Sequence, residues 1–204
     1  MLSKWTKNMN VELLTALTAF AFVSSITPGP NNLMLMTSGT NFGFKQTVPH
    51  MLGVGLGFTF MVVLVGLGIM QIFDLFPVSY QILKVLSVAY LLYLAMKIAK
   101  SSEISESTAQ KRPMTFMQAA LFQWVNPKAW TMAVTAISVY APTKEMVAVL
   151  IVAGVFGLVN LPCICSWITL GQKIKHLLAS ERSLKYFNYS MATLLVLSVV
   201  PALT

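Results

Sequence analysis

The chain has 204 residues, 56% of them hydrophobic and only 10% charged, with a mean hydropathy of +0.73. Soluble domains carry roughly 25% charged residues, so this composition excludes a soluble core and predicts one compact integral membrane domain. The net charge of +8 does not point to nucleic acid, because the basic residues fall in short loops between apolar runs, the way membrane topology is written, with no basic helix or aromatic-interleaved patch.

In chain order, Met1 to Asn10 carries Lys4 and Lys7 ahead of the first apolar run. This resembles the basic start of a signal peptide, but no small-x-small site ends the run, so a retained membrane helix is expected. The first crossing covers about 11–36 and contains Thr27-Pro28-Gly29-Pro30-Asn31-Asn32. Pro28 and Pro30 have no N–H, so the carbonyls of Ser24 and Ile26 lose their helical donors. Gly29 is expected to let the backbone turn, and Pro30 suits the first turn of a new half-helix with the amides of Asn31 and Asn32 free. Unpaired backbone groups in lipid cost several kcal/mol each, so such a break survives only where protein, water or a ligand satisfies it.

A loop at 37–47 leads to a second crossing at about 48–71, rich in glycine (Gly53, Gly55, Gly57, Gly66, Gly68), where small residues let another helix approach closely. The third crossing is at about 79–97. The polar stretch at about 98–113 reads as the linker between two halves, about 11–97 and about 114–203. The fourth crossing, about 114–140, is broken at Asn126-Pro127-Lys128, and Pro127 leaves the carbonyl of Gln123 without its helical donor. The fifth, about 145–170, holds Asn160 and Pro162; a basic loop with Lys173, Lys175, His176, Arg182 and Lys185 precedes the sixth, about 186–203.

Each half has three crossings, an odd number, so the second enters the membrane upside down. Gly53-Val54 recurs as Gly154-Val155 and Leu83-Lys84 as Leu184-Lys185, while Pro28 and Pro127 hold matching places. The expected fold is all-α and integral to the membrane: six transmembrane helices as two inverted three-helix repeats, with helices 1 and 4 broken. Paired breaks in inverted halves point to a central binding site. Loops 1–2, 3–4 and 5–6 hold most of the lysines and arginines, which predicts that they are cytoplasmic with both termini outside.

The Thr27-Pro28-Gly29-Pro30-Asn31 motif, the glycine-rich second crossing and Asn126-Pro127-Lys128-Ala129 together resemble the lysine-exporter (LysE/RhtB) family of amino-acid exporters. The resemblance covers essentially the whole chain in length, layout and motif order. It implies export of amino acids or related metabolites from the cytoplasm across a bacterial inner membrane, coupled to the proton gradient. Some members carry an acidic residue early in the second crossing; here that region reads Gly53-Val54-Gly55-Leu56-Gly57.

An amino acid is a zwitterion, and a membrane site must satisfy both ends. The amides after Pro30, at the positive end of a half-helix, suit a carboxylate, and the carbonyls left open at Ser24 and Ile26 suit an ammonium. The candidate substrate-binding residues are Ser24, Ser25, Thr27, Pro28, Gly29, Pro30, Asn31, Asn32, Asn126, Pro127, Lys128 and Asn160. Lys128 reads as an anchor for the substrate carboxylate or a proton carrier, against a lysine snorkelling to the interface. With no acidic residue inside the crossings, a small neutral substrate such as serine, threonine, homoserine or a cysteine-like compound is expected.

Other side chains suggest less. His50 reads as an interface histidine with a proton relay as the alternative, and His176 as a solvated loop residue. Cys163 and Cys165 point to different faces of a helix and read as packing residues; the tryptophans and tyrosines read as belts or packing. No metal set, nucleotide loop or nucleophile–base constellation is present in the sequence, so no cofactor and no enzyme activity is expected. The expected partners are the substrate, protons and the lipid bilayer, with homo-oligomerisation left open. Two other readings compete. A thiol-redox electron carrier needs cysteines beside the breaks, and a non-transporting membrane subunit has no need of the paired breaks.

Overall fold

The structure is a computed structural model that describes residues 11–69, 71, 75–100, 112–141, 145–178 and 180–198. The expectations for Met1 to Asn10, most of the linker and the end of the sixth crossing lie outside these residues.

All the described elements are helical: α1 (Val11–Ile26), α2 (Pro30–Phe42), α3 (Phe44–Gly66), α4 (Pro77–Ala99), α5 (Phe116–Phe122), a 3₁₀ turn (Gln123–Val125), α6 (Pro127–Tyr140), α7 (Met146–Leu177) and α8 (Glu181–Leu197). Among the described residues, three stretches are long and apolar enough to cross a membrane: Phe44–Gly66, Gln81–Ala99 and Met146–Lys175. The α1–α2 pair, bent by 54° at its break, makes a fourth if counted as one span. Exposed apolar side chains such as Phe22, Leu56, Phe60, Ile82, Val85, Leu150 and Leu158 form the outer surface, as expected where the surrounding solvent is hydrocarbon.

Long α7 is the central post. It packs against α1, α2 and α3, while α3 also carries α5 and α6, and α4 pairs with α8. Close approach depends on small residues. A Cβ at Gly39 on α2 would overlap the Ile168 carbonyl of α7, and one at Gly171 would overlap the Met36 carbonyl of α2. Thr40 Oγ1 donates to the Gly171 carbonyl at 2.9 Å across this crossing. The main apolar core lies between α1, α3, α6 and α7, where Phe156 meets Phe20 and Phe58 edge-on at 5.9 and 5.5 Å. Gly43, at φ 80°, makes the tight turn that folds α3 back against α2.

Several sequence expectations need correction. The basic stretch expected as a loop is largely helix: Lys173, Lys175 and His176 belong to the end of α7, and Arg182 and Lys185 to the start of α8. His50 is not at an interface; it is 1% exposed, and its Nδ1 lies 3.2 Å from Ser38 Oγ on α2.

Candidate functional site

Both expected breaks form. α1 stops at Ile26 and α2 starts at Pro30, whose ring fits the first helical position. Gly29 between them has φ 179° and ψ 177°, an extended conformation open to any residue, so it is not there to turn the chain. Its role is space: a Cβ at Gly29 would lie 2.7 Å from Cδ of Lys128. In the second break, Thr115 and Gln118 cap α5 reciprocally, the chain tightens into the 3₁₀ turn, and Asn126 caps α6 by accepting from the Lys128 amide at 3.2 Å.

The carbonyls freed by the prolines are not open, contrary to the sequence reading. Ser24 O accepts from Thr27 Oγ1 at 3.0 Å, and Ile26 O from the Trp167 indole at 3.1 Å. The Asn32 side chain donates to Ser25 O at 2.7 Å and Thr27 O at 2.8 Å. In the second break, Gln123 O accepts from the Asn126 amide at 3.3 Å. The chain thus satisfies its own interrupted backbone, as a low-dielectric surrounding demands.

Two links join the breaks. The amides of Asn31 and Gln123 bond reciprocally at 2.8 and 3.1 Å, and Gln123 also donates to Ala119 O at 2.9 Å. The Lys128 ammonium reaches across to Thr27 O and Thr27 Oγ1, both at 2.8 Å, and to Pro28 O at 3.3 Å. Lys128 therefore spans from one break to the other. The described acidic residues, Glu12, Glu145 and Glu181, all lie at helix starts, so neutral oxygens compensate this charge.

A cavity of about 30 Å³ remains between the breaks, lined by Ser24, Ser25, Gly29, Asn31, Asn32, Asn126, Lys128 and Asn160 together with Phe58, Ala129, Met132 and Ile164. That is room for roughly two waters. Eight of the expected site residues thus meet at one cavity. Thr27 and Pro28 hold the lysine from outside its lining, and Pro30 and Pro127 begin the half-helices.

The cavity has polar and apolar walls, and part of its polar lining is unsatisfied. Ser25 Oγ is buried without a partner among the described residues, and the side chain of Asn160, 6% exposed, has none there either. The amides of Asn31 and Asn32 stand in the first turn of α2, where no helical acceptor exists. Two helix N-termini, those of α2 and α6, meet here, and their positive ends favour an anion.

Sequence reasoning missed Gln123 as a side chain, Trp167 as a cap, and the apolar lining Phe58, Ala129, Met132 and Ile164. Gln123 carried a signal, a polar residue four positions before Pro127 inside an apolar run. The others carried none. Cys165 lies against Met51, with sulfurs 3.3 Å apart, and Cys163 is buried; neither lines the cavity.

A family model described as LysE type translocator matches residues 22–202. The cysteine/O-acetylserine efflux proteins of Escherichia coli K12 and Shigella sonnei are each 32% identical to the chain over 132 residues, covering 65% of this chain and 67% of theirs. No solved structure matches the chain. The matched region takes in both helix breaks and the cavity between them: the chain belongs to the LysE type translocator family.

Proposed function

We propose that this chain exports small neutral amino acids or their derivatives, with cysteine and O-acetylserine foremost, from the bacterial cytoplasm in exchange for protons. The observation that carries this reading is the cavity held between two broken helices. It has helix N-termini and Lys128 for a carboxylate, unpartnered Ser25 and Asn160 for polar groups, and an oxygen cluster at Thr27 and Pro28 for an ammonium. The names of the relatives supply the cysteine-like class. Among the described residues no carboxylate lines the cavity, which supports a neutral over a basic side chain, since a second substrate cation beside Lys128 would have no countercharge.

The six-crossing inverted plan belongs to the same proposal. Broken α1–α2 would be crossing one, α3 two, α4 three, α5–α6 four, α7 five and α8 six. The packing supports it: α7 packs on the first broken helix as α3 packs on the second, and the α3–α7 and α4–α8 pairs map onto themselves. Rocking of one half against the other would open and close the path to this cavity.

Uptake of labelled cysteine, O-acetylserine, serine and lysine into inside-out vesicles, with and without a pH gradient, tests the reading. Neutral substrates should accumulate and lysine should not, and collapse of the gradient should stop accumulation. Lys128→Ala should abolish uptake at a normal protein level. Lysine transported faster than the neutral compounds, or full uptake by the alanine variant, would overturn it.

A further inference from the structure

We infer that Lys128 is a built-in occupant of the substrate's ammonium seat. In the empty site its own ammonium fills the oxygen cage of Thr27 and Pro28. An incoming amino acid displaces it, places its α-ammonium in the cage, and the freed Lys128 turns to pair with the carboxylate. This rests on the export reading above and adds what selects the substrate.

Three observations carry it. An ammonium has three donors, and Lys128 meets three acceptors: Thr27 O, Thr27 Oγ1 and Pro28 O, at 2.8, 2.8 and 3.3 Å. Those oxygens follow the C-terminal end of α1 (Val11–Ile26), the negative pole of that helix, whereas Lys128 itself springs from the first turn of α6 (Pro127–Tyr140), a positive pole that disfavours it. The cage therefore holds the lysine by oxygens that any primary ammonium could use. Gly29 also leaves space for the lysine stem: a Cβ there would lie 2.7 Å from Cδ and 3.1 Å from Nζ. Finally, Lys128 lines a cavity too small for an amino acid as it stands, so moving the lysine also makes room.

The arrangement sets a double condition on the ligand. An amine without a carboxylate would leave two cations side by side and cannot hold the displaced lysine. A carboxylate without an amine cannot fill the cage, and Lys128 stays in place. Only a compound with both groups exchanges with the lysine.

The test uses equilibrium binding of radiolabelled L-cysteine and cysteamine, under reducing conditions, to the purified full chain in detergent. Wild-type protein should bind cysteine and reject cysteamine. Lys128→Met and Lys128→Gln, each accepted only if monodisperse, should bind cysteamine at least tenfold more tightly than wild type and lose the preference for cysteine. Wild-type binding of cysteine with no gain for cysteamine in either variant overturns the exchange and leaves the export reading standing. Wild-type protein that binds no amino acid overturns both.

Discussion

The imidazole of His50 has one neighbour for its Nδ1, the Ser38 hydroxyl at 3.2 Å, and a buried Nε2 without a partner among the described residues. From the sequence it reads as an interface residue, because it opens the second crossing at about 48–71. The Gly43 turn overrules that reading, by folding α2 over the first turns of α3. Ser38→Ala should therefore strand both ring nitrogens and cost about 1–3 kcal/mol, read as a drop in unfolding temperature of the purified protein in detergent. An unchanged temperature would mean that the hydroxyl is not the partner that matters. The same limit applies at the cavity. Asn31, Asn32, Asn126 and Lys128 were legible because polar groups inside a lipid-facing run need a reason. Phe58, Met132 and Ile164 look like any other apolar residue until the helices are placed. Trp167 looks like a packing residue until Ile26 loses its helical donor and the indole supplies one.

At the level of helices, proline alone does not write a break. Pro49 and Pro162 lie inside continuous α3 and α7, whereas the chain parts at Pro28–Pro30 and before Pro127. What differs is the company: two prolines flanking a glycine in one case, and in the other an asparagine that caps the restarting helix through its own side chain. Small residues are equally uneven. Gly39 and Gly171 face backbone carbonyls across the α2–α7 crossing, but a Cβ at Gly154 would meet nothing within 4 Å. Gly39→Ala or Gly171→Ala should force the helices apart at a cost of about 2 kcal/mol or more. Gly154→Ala should cost nothing. Thermal stability by fluorescence-detected size exclusion separates them, and equal stability of the three variants would remove the close crossing as a determinant. The sequence announces glycine-rich helices, but which glycine meets a carbonyl depends on the helix register, which no spacing rule supplies.

Across the whole molecule, the distribution of charge yields a testable expectation for which end of the bundle faces the cytoplasm. At 1.5 Å per residue, the 32 residues of α7 span about 48 Å, roughly 18 Å more than the hydrocarbon core. Lys173 and Lys175 lie near the C-terminal end of this helix, where such an overhang would let a basic segment expected as loop remain helical in water. Under the proposed six-crossing plan, alternating crossings would put Lys45, Lys97, Lys100, Arg112, Arg182 and Lys185 at the same end, with Lys84 and Glu145 toward the other. On the positive-inside bias, the lysine-rich end is expected to be cytoplasmic. Single cysteines in a Cys163→Ala, Cys165→Ala background test this with a membrane-impermeant maleimide. Lys45→Cys and Lys185→Cys should label in inside-out vesicles and stay unlabelled in intact cells. Glu145→Cys should do the reverse. Labelling of Lys45→Cys from outside would turn the protein over, and with it the direction of transport assigned to the site. Equal labelling from both sides would mean that eight basic residues at one end do not suffice to set a single orientation, because the bias acts through loops close to the membrane rather than through net charge.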